Sequence, residues 1–332
     1  MDINRYAYIC PKTKEMLQVQ VANKNGQEVI NGVLASVGGV HYPIEDGIPD
    51  FTHPDELGDR SRAQREYYDH EAENYDDFAY LTFRIQNENE DSVRNKFIEA
   101  LKLKPDAKVL DLACGTGQDS VKIASVLSSE GELQLIDISK KMLLKCRDKL
   151  AGSICQKSFA VGNATSLPFP NEYFDAILSF GGLNEFDDIK LSFVEMVRVS
   201  KPGGRIVVGD ESMPPWLYGT EFADILLDNN KLFRNPVPLE FIPVQAREVY
   251  VRWIIGGVYY LIEFTVGEGP PTAEFDLEIP GRRGGTLRTR YYGNLEGVKP
   301  ETKKVAMEAA KNAGKSMHEW LDEIIKKAVS NQ

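Results

Sequence analysis

Residues 109–117 read VLDLACGTG, and this stretch of the chain decides the fold. An apolar run that ends in an aspartate and then in small residues is typical of a buried strand that leads into a tight turn. Ala113, Gly115 and Gly117 lack bulky side chains, so the backbone there can approach a ligand closely. A helix that begins near Gln118 would present unpaired backbone N–H groups at its start. The stretch therefore predicts the first strand, loop and helix of a ligand-binding α/β domain.

Apolar, strand-like runs alternate with helix-like segments over the rest of the central part of the chain. Such alternation is typical of a mostly parallel sheet with helices on both faces. Gly256 and Gly257 separate the last two runs and indicate a tight turn between antiparallel strands. We therefore predict an α/β fold, with a Rossmann-like, seven-stranded, mostly parallel sheet that ends in an antiparallel hairpin. The predicted strands are residues 108–112, 132–136, 158–161, 174–179, 205–208, 249–255 and 258–266.

The segments that flank this core differ from it in composition. The first contains short apolar runs broken by Gly and Pro, which predicts a small β module. The second is rich in charge and tyrosine with helical spacing, which predicts helices that lead into the core. The predicted regions are the β module at 1–52, the helical lead-in at 53–103, the core at 104–266 and an accessory element at 267–332.

The accessory element combines two kinds of pattern. Residues 273–279 and 286–292 alternate around a Gly-rich turn, which predicts a β hairpin. Pro300 opens a helical pattern that Gly314 ends, and Ser316 is placed to cap a second helix. We therefore predict a β hairpin followed by a helical hairpin.

Bulk composition restricts the function classes. The chain has 332 residues and a formal net charge of -11. No apolar run approaches the roughly 20 residues that a membrane helix needs, and the chain does not open with a secretory pattern, so we expect a cytoplasmic location. Four cysteines, none of them in a CxxC pair, argue against a disulfide framework or a zinc knuckle, so we expect reduced thiols and no metal. The charge is uneven, because residues 282–332 hold 11 Lys or Arg against 6 Asp or Glu.

A second acid follows the next predicted strand, since Asp137 lies 22 positions after Gly115. A carboxylate in this place can accept hydrogen bonds from both hydroxyls of a ribose. NAD enzymes use the same placement. The glycines and this acid therefore indicate a nucleoside cofactor without selecting one.

The heptapeptide DLACGTG at residues 111–117 resembles motif I of class I S-adenosylmethionine-dependent methyltransferases. Ser120 stands where the NAD fingerprint has its third glycine. Further similarities follow in order, with GNA at residues 162–164 and KPGG at residues 201–204. The resemblance covers roughly residues 65–266 and is greatest to the ubiquinone and menaquinone biosynthesis type of these enzymes.

This resemblance implies S-adenosylmethionine as the cofactor and a sheet that ends in an antiparallel strand. Asp111 would lie near the ammonium group, Asp137 would bind the ribose, and Asn163 would meet the adenine amino group. Most family members have Asp where this chain has Asn163, and both side chains offer an acceptor. The implied cofactor-binding residues are Asp111, Ala113, Cys114, Gly115, Thr116, Gly117, Asp137, Ile138, Asn163, Ala164, Ser179, Phe180 and Gly181.

Methyl transfer from a sulfonium is an in-line displacement. Alignment of nucleophile, methyl group and sulfur in a dry site can therefore account for much of the catalysis. An acceptor that is a hydroxyl or an acidic carbon would gain from a general base. We predict Glu185 and Glu211 for this role, ahead of Asp187, Asp210 and His70.

Aromatic residues on both sides of the core predict the acceptor site. Tyr67 and Tyr75 lie in the helical lead-in at residues 53–103, which the resemblance implies is a lid over the cofactor. Trp216 lies in the long segment between the fifth strand and the hairpin. In this fold that segment usually determines the substrate. We therefore expect a small, apolar or aromatic methyl acceptor.

The two ends of the chain resemble other small modules. Residues 8–11 and 42–49 resemble the zinc-ribbon-like domain that precedes some methyltransferases, or is supplied as their activating subunit. Thr13 stands where a second cysteine would fall, so we expect that zinc is absent. Residues 298–329 resemble the helical half of ribbon-helix-helix proteins, with residues 288–290 as the strand that would precede it. This resemblance implies a homodimer, and the alternative is that the same helices pack within one chain.

Two other functions stay open at the level of sequence. An RNA-facing N-terminal module would make the protein an rRNA or tRNA methyltransferase. A C-terminal segment that binds DNA would make it a non-catalytic, cofactor-sensing DNA-binding regulator. A strongly acidic chain is a poor match for nucleic acid, so we expect a small-molecule acceptor and a second copy of the chain as partners.

Overall fold

The computed structural model describes residues 8–52, 57–282, 284–292 and 298–330. The chain divides after Pro270 into two compact units. The first contains the N-terminal module, the lid region and the large sheet, and the second contains the C-terminal helices. Among the described residues, no helix is long and apolar enough to cross a membrane.

The N-terminal module is a four-stranded antiparallel sheet in chain order. Its strands are β1 (Gln18–Asn25), β2 (Glu28–Ala35), β3 (His41–Glu45) and β4 (Ile48–Pro49). The predicted small β module is thus confirmed.

This module packs directly on the core of the first unit. The buried ring of Tyr8 lies 5.0 Å from the ring of Phe51 and 5.5 Å from that of Phe169. The backbone N–H of Phe51 donates to the carbonyl oxygen of Val161, at 2.9 Å. Because Val161 ends strand β7, an isolated bridge between Asp50 and Val161 joins the module to the edge of the large sheet.

Four helices follow the module and lead into the core. They are α1 (Asp59–Glu71), α2 (Tyr75–Ala79), α3 (Leu81–Arg84) and α4 (Glu90–Leu101). Asn89 caps the last of them by accepting a hydrogen bond from the N–H of Ser92, at 2.9 Å.

The large sheet has seven strands in the order β10-β11-β9-β8-β5-β6-β7. Strands β5 to β9 are parallel, and β11 runs antiparallel to both β9 and β10. The predicted α/β fold with a terminal antiparallel hairpin is therefore confirmed. The strands are β5 (Lys108–Leu112), β6 (Glu132–Asp137), β7 (Gln156–Val161), β8 (Phe174–Phe180), β9 (Ser200–Glu211), β10 (Ala246–Ile254) and β11 (Tyr259–Val266).

Alternate residues of each central strand enter different apolar clusters, as expected when both faces of a sheet are covered. Val109 packs in one cluster, and its neighbour Leu110 packs in the other. Helices α4, α5 (Gln118–Val126), α6 (Lys140–Lys149) and α8 (Glu221–Asn229) contribute to the first cluster. The second contains α7 (Ile189–Val199) and the N-terminal module.

The second unit departs from prediction at its start. The predicted β hairpin at residues 273–279 and 286–292 is wrong, because Leu287–Tyr292 form helix α9 and none of residues 273–279 is in a strand. Thr286 explains the difference, since its hydroxyl accepts a hydrogen bond from the N–H of Thr289 at 3.1 Å and so caps a helix. Residues 288–290, which the ribbon-helix-helix resemblance implied as a strand, are therefore helical.

The predicted helical hairpin is present. Helix α10 (Pro300–Asn312) and helix α11 (Met317–Ser330) flank Gly314, whose φ of 66° is left-handed. Ser316 begins the second helix, where its hydroxyl and its N–H both bond to Glu319, at 2.6 and 3.0 Å.

Candidate functional site

A cavity of about 240 Å³ lies at the carboxyl edge of the parallel strands, where α/β proteins bind ligands. Its walls come from the ends of β5, β6, β8 and β9 and from the helices that precede the core. Most of the predicted cofactor residues line it. They are Asp111, Ala113, Cys114, Gly115, Thr116, Asp137, Ile138, Asn163, Ala164, Phe180 and Gly181.

Asp137 holds the glycine loop in place. Its carboxylate accepts hydrogen bonds from the backbone N–H groups of Gly115, at 2.8 Å, and Ser139, at 2.9 Å. Burial raises the pKa of Asp137 to about 6, although these two N–H groups act in the opposite direction. The buried carboxylate therefore connects the glycine loop to the residues that follow β6.

Asp111 is connected to the helix that follows the loop. The hydroxyl of Ser120 in α5 donates to its carboxylate at 2.5 Å. Burial raises the pKa of Asp111 to about 7, and the neighbouring carboxylates of Asp119 and Asp137 add to this effect. Ser120, which stands where the NAD fingerprint has a glycine, therefore orients the carboxylate of Asp111 on the cavity wall.

The raised pKa of Asp111 predicts a pH-dependent stability. With a pKa near 3.9 when unfolded and about 7 when folded, this carboxyl binds more protons in the folded state between those values. Its contribution to the free energy of unfolding therefore falls as pH rises from about 4 to 7. We therefore expect the free energy of unfolding of Asp111→Asn, relative to that of wild type, to rise by up to about 4 kcal/mol between about pH 4 and pH 7. Urea unfolding of both proteins at these two pH values measures the change. Parallel pH profiles for the two proteins would contradict this.

Two predicted cofactor residues do not line the cavity. Gly117 begins α5 with a left-handed φ of 84°, and a Cβ built on it would lie 2.5 Å from the Sγ atom of Cys146. Ser179 is fully buried in β8. The structure gives both residues a packing role.

Asn163 lies at the end of the cavity beyond β7. Its Oδ1 atom accepts hydrogen bonds from the N–H of Thr165, at 3.0 Å, and from the hydroxyl of Thr165, at 2.9 Å. Its amide nitrogen donates to Asp187 at 3.3 Å. The oxygen that was expected to accept from adenine is thus already used in a local turn, and the amide nitrogen lies beside a carboxylate.

The lid aromatics divide into two groups. Tyr75 lines the cavity together with Tyr68, and burial raises the pKa of the Tyr75 hydroxyl to about 12. Tyr67 is 58% exposed and Trp216 is 63% exposed, and neither lines the cavity. Trp216 instead contacts Trp253, with 5.3 Å between ring centroids.

Asp76 connects the lid to the cofactor loop, and sequence reasoning missed it. Its carboxylate accepts hydrogen bonds from the hydroxyl of Thr116, at 2.6 Å, and the amide of Gln118, at 2.9 Å. The ammonium group of Lys149 lies 2.6 Å away. These partners hold the pKa of Asp76 below its usual value, against the effect of burial. An acid in a short helix carries no sequence signal for contacts 40 residues away.

Asp76→Ala should loosen the lid, because three polar contacts to the core disappear together. We expect hydrogen exchange of the backbone amides in Tyr75–Ala79 to become at least tenfold faster, which corresponds to about 1.4 kcal/mol. The matched control is Asp77→Ala, since Asp77 is exposed in the same helix. Equal exchange in the two variants would contradict the assignment.

The predicted general bases come from the ends of two strands that build the cavity, with Glu185 shortly after β8 and Glu211 at the end of β9. Glu185 and Glu211 both line it, and the hydroxyl of Tyr259 donates to Glu211 at 3.2 Å. Burial raises the pKa of Glu185, as does the carboxylate of Glu211, whereas Arg60 lowers it. Asp210 is buried beneath them, where its carboxylate accepts from the N–H of Asn184 at 2.6 Å.

The remaining base candidates have other surroundings. His70 has an 87% exposed side chain beside Glu71. Asp187 accepts hydrogen bonds from Ser61 and Asn163. Neither residue is among those that line the cavity.

Comparison with known proteins connects this geometry to a family. The model of the ubiE/COQ5 methyltransferase family matches residues 60–221. A demethylmenaquinone methyltransferase of Desulfitobacterium hafniense is 32% identical over 143 residues, which are 40% of this chain and 56% of that protein. The ubiquinone/menaquinone biosynthesis C-methyltransferase UbiE of Proteus mirabilis is 40% identical over 119 residues, which are 35% of this chain and 47% of that protein. The chain spans about half the length of these curated relatives.

Among solved structures, a putative S-adenosyl-L-methionine-dependent methyltransferase of Methanococcus maripaludis matches 61% of this chain and 95% of its own, with 18% identity and a TM-score of 0.46. The match to the family model covers all the residues that line the cavity except Leu232 and Tyr259. Residues 60–221, which contain the glycine loop, Asp137 and both glutamates, are therefore similar to the ubiE/COQ5 methyltransferase family.

Proposed function

We propose that this protein is an S-adenosylmethionine-dependent methyltransferase that acts on a small, apolar or aromatic acceptor. The observation that carries the proposal is the buried Asp137 carboxylate, which holds the N–H of Gly115 at the carboxyl edge of the sheet. The family match over residues 60–221 supports the same activity.

The residues of the cavity fit the polar groups of this cofactor. Asp119 lies on the wall, and its Oδ1 atom is buried without a hydrogen-bond partner among the described residues. Such an atom suits an ammonium group. Gly115 has a left-handed φ of 53°, and a Cβ built there would meet no atom within 4 Å, so open space adjoins the backbone. Asp137 offers a carboxylate to the ribose, and Asp111 and Asp119 offer theirs to the amino-acid end.

When bound, the sulfonium supplies the methyl group together with its leaving group. The residues of this chain position the reactants and exclude water. Tyr68, Tyr75 and Phe83 cover the cavity from the lid side, and Phe180 lies on the core side. The carboxylates of Glu185 and Glu211 would accept the proton that the acceptor releases.

Transfer of labelled methyl groups tests the proposal. Purified protein with methyl-labelled S-adenosylmethionine should label a compound in a small-molecule extract. Total RNA and DNA serve as the competing acceptors, and gel shift with DNA tests the regulator. Label in RNA would indicate an rRNA or tRNA methyltransferase. Binding of the cofactor and of DNA, without any methyl transfer, would indicate a non-catalytic regulator. Either result would contradict the proposal.

We further propose that the second unit forms a homodimer through α11. Its large apolar side chains remain accessible, with Ile324 43% and Ile325 58% exposed, whereas the buried residues of α10 are only Ala306 and Ala310. A pair of helices with so small a core needs a partner to bury the rest.

Ile325→Glu is expected to convert this dimer to a monomer, because a charge would enter the apolar contact. Mass in solution measured by light scattering should fall by half. The matched control is Lys327→Glu, an exposed position two residues further along the same helix. A monomeric wild-type protein, or an unchanged mass for Ile325→Glu, would refute the dimer.

The N-terminal module is, in our proposal, a ribbon-like unit without zinc. The Sγ atom of Cys10 lies 3.2 Å from the hydroxyl of Tyr42 and accepts from the N–H of Thr13 at 3.4 Å. These partners support a structural thiol. Atomic absorption of the purified protein should find no stoichiometric zinc, and one zinc per chain would contradict this.

A further inference from the structure

The amino-acid end of the proposed cofactor carries a group that the acids of the cavity cannot bind. Asp111, Asp119 and Asp137 offer carboxylates to the ammonium group and to the ribose. The α-carboxylate of the same molecule is an anion, and an anion placed among carboxylates costs free energy in a partly buried site unless a cation accompanies it. The wall of the cavity therefore needs a cationic donor at this end.

Arg94 is the cationic side chain of this wall. Among the lining residues that the structure describes, no other is Lys, Arg or His. Arg94 lies in α4, ahead of the sheet, and is buried. Burial lowers the pKa of its guanidinium, but the carboxylates of Asp119 and Glu90 raise it above the ordinary value. The side chain therefore keeps its positive charge inside the protein.

Three neighbours fix the guanidinium and leave part of it for a ligand. Its Nε atom donates to Glu90 and its Nη1 atom donates to Asp119, each at 2.8 Å. Its central carbon lies 4.9 Å from the centroid of the Phe83 ring, which also lines the cavity. The hydrogen bonds that Arg94 makes to described residues use Nε and Nη1, so the two N–H groups of Nη2 are left for an anion.

Arg94 and Asp119 together match the two charges of an α-amino acid. In such a molecule the carboxylate and the ammonium group are bonded to one carbon, so the groups that bind them must be neighbours. The Nη1 atom of Arg94 lies 2.8 Å from the Oδ2 atom of Asp119. The other carboxylate oxygen of Asp119, Oδ1, is buried without a hydrogen-bond partner among the described residues. One positive and one negative group therefore lie side by side on the cavity wall.

We infer that Arg94 binds the α-carboxylate of S-adenosylmethionine, next to the ammonium group held at Asp119. This inference rests on the proposed methyltransferase function and assigns the cofactor group that the three aspartates leave without a partner. Because Phe83 lies in α3 and Arg94 in α4, the helices that precede the core would hold the cofactor together with the sheet. Anchors at the ribose and at the amino-acid end restrict the position of the sulfonium, which in-line displacement requires.

Calorimetric titration with three ligands tests the inference. The ligands are S-adenosylhomocysteine, its decarboxylated analogue, and methylthioadenosine, which lacks both the carboxylate and the ammonium group. Wild-type protein should bind S-adenosylhomocysteine at least about tenfold more tightly than the decarboxylated analogue, because the analogue cannot accept the charge-assisted hydrogen bond. Arg94→Gln should remove most of that preference. It should leave binding of methylthioadenosine within about twofold of wild type, because the adenosine end lies apart from Arg94.

Methylthioadenosine binding also shows whether the variant is folded. If Arg94→Gln does not bind it, Arg94→Lys is the second variant, since lysine keeps the charge but loses the fork of donors and should lower the preference by a smaller factor. The matched control is Arg84→Gln, because Arg84 is exposed at the end of α3 and does not line the cavity. This control should keep the full preference.

The inference is overturned if wild-type protein binds the decarboxylated analogue as tightly as S-adenosylhomocysteine. It is also overturned if either Arg94 variant keeps the full preference, because the backbone N–H groups at the start of α5 would then hold the carboxylate. Failure of the proposed function gives a different result, since wild-type protein would then not bind S-adenosylhomocysteine at all.

Discussion

Gly117→Ala is expected to lower the free energy of unfolding by about 2–5 kcal/mol. The added Cβ would lie 2.5 Å from the Sγ atom of Cys146 and 3.2 Å from its Cβ atom. Cys146 is fully buried in α6 and Gly117 begins α5, so relief of this contact displaces one of the two helices. The φ of 84° adds a cost of about 1–2 kcal/mol for any residue with a side chain.

Gly115→Ala separates the two costs. Gly115 also has a left-handed φ, but a Cβ built on it meets no atom within 4 Å. Urea unfolding should therefore show a loss of only about 1–2 kcal/mol for this variant. Combining Gly117→Ala with Cys146→Ala should recover part of the larger loss, because the double variant removes the clash. Equal losses for the two glycines would show that the contact with Cys146 is not the cause.

Asp137→Ala is expected to weaken S-adenosylhomocysteine binding by at least about 100-fold, or about 3 kcal/mol. The substitution removes the acceptor proposed for the ribose hydroxyls. It also leaves the N–H groups of Gly115 and Ser139 without their carboxylate, so the loop loses its fixed position. Calorimetric titration of the variant measures the effect.

The matched control is Asp148→Ala, because Asp148 is an exposed acid of α6 outside the cavity. Thermal unfolding of both variants shows whether each is folded under the titration conditions. If the folded Asp137→Ala protein binds S-adenosylhomocysteine as tightly as wild type does, Asp137 does not bind the ribose of the cofactor.

The core of the fold was predictable because local patterns and packing agree there. Strand β5 has the predicted bounds, since an apolar run ends sharply at a polar, glycine-rich turn. Strand β9 extends from Ser200 to Glu211, well beyond the predicted residues 205–208. Its added residues include Ser200, Gly209 and two acids, and they belong to the strand because they pair with β8 or β11. The prediction of a β hairpin near residue 290 was wrong because Thr286 caps a helix there, although the sequence alternates as in a strand.

The site was predictable where it depends on strand ends. Asp111 lies near the end of β5 and Asp137 ends β6, and the carboxyl ends of adjacent parallel strands meet at one edge of the sheet. Tyr259 reaches the cavity, and Asp76 reaches the cofactor loop, through packing of distant segments, which no local spacing reveals. The prediction that Trp216 lies in the acceptor site is not supported, because its ring packs against Trp253 on the surface, away from the cavity.

The glycine loop alone is compatible with two nucleoside cofactors, so the central claim is the choice between them. Calorimetric titration of the wild-type chain with S-adenosylhomocysteine and, separately, with NAD tests that choice most directly. The account predicts saturable binding of S-adenosylhomocysteine at one site per chain and no saturable binding of NAD. Binding of NAD without binding of S-adenosylhomocysteine would contradict it.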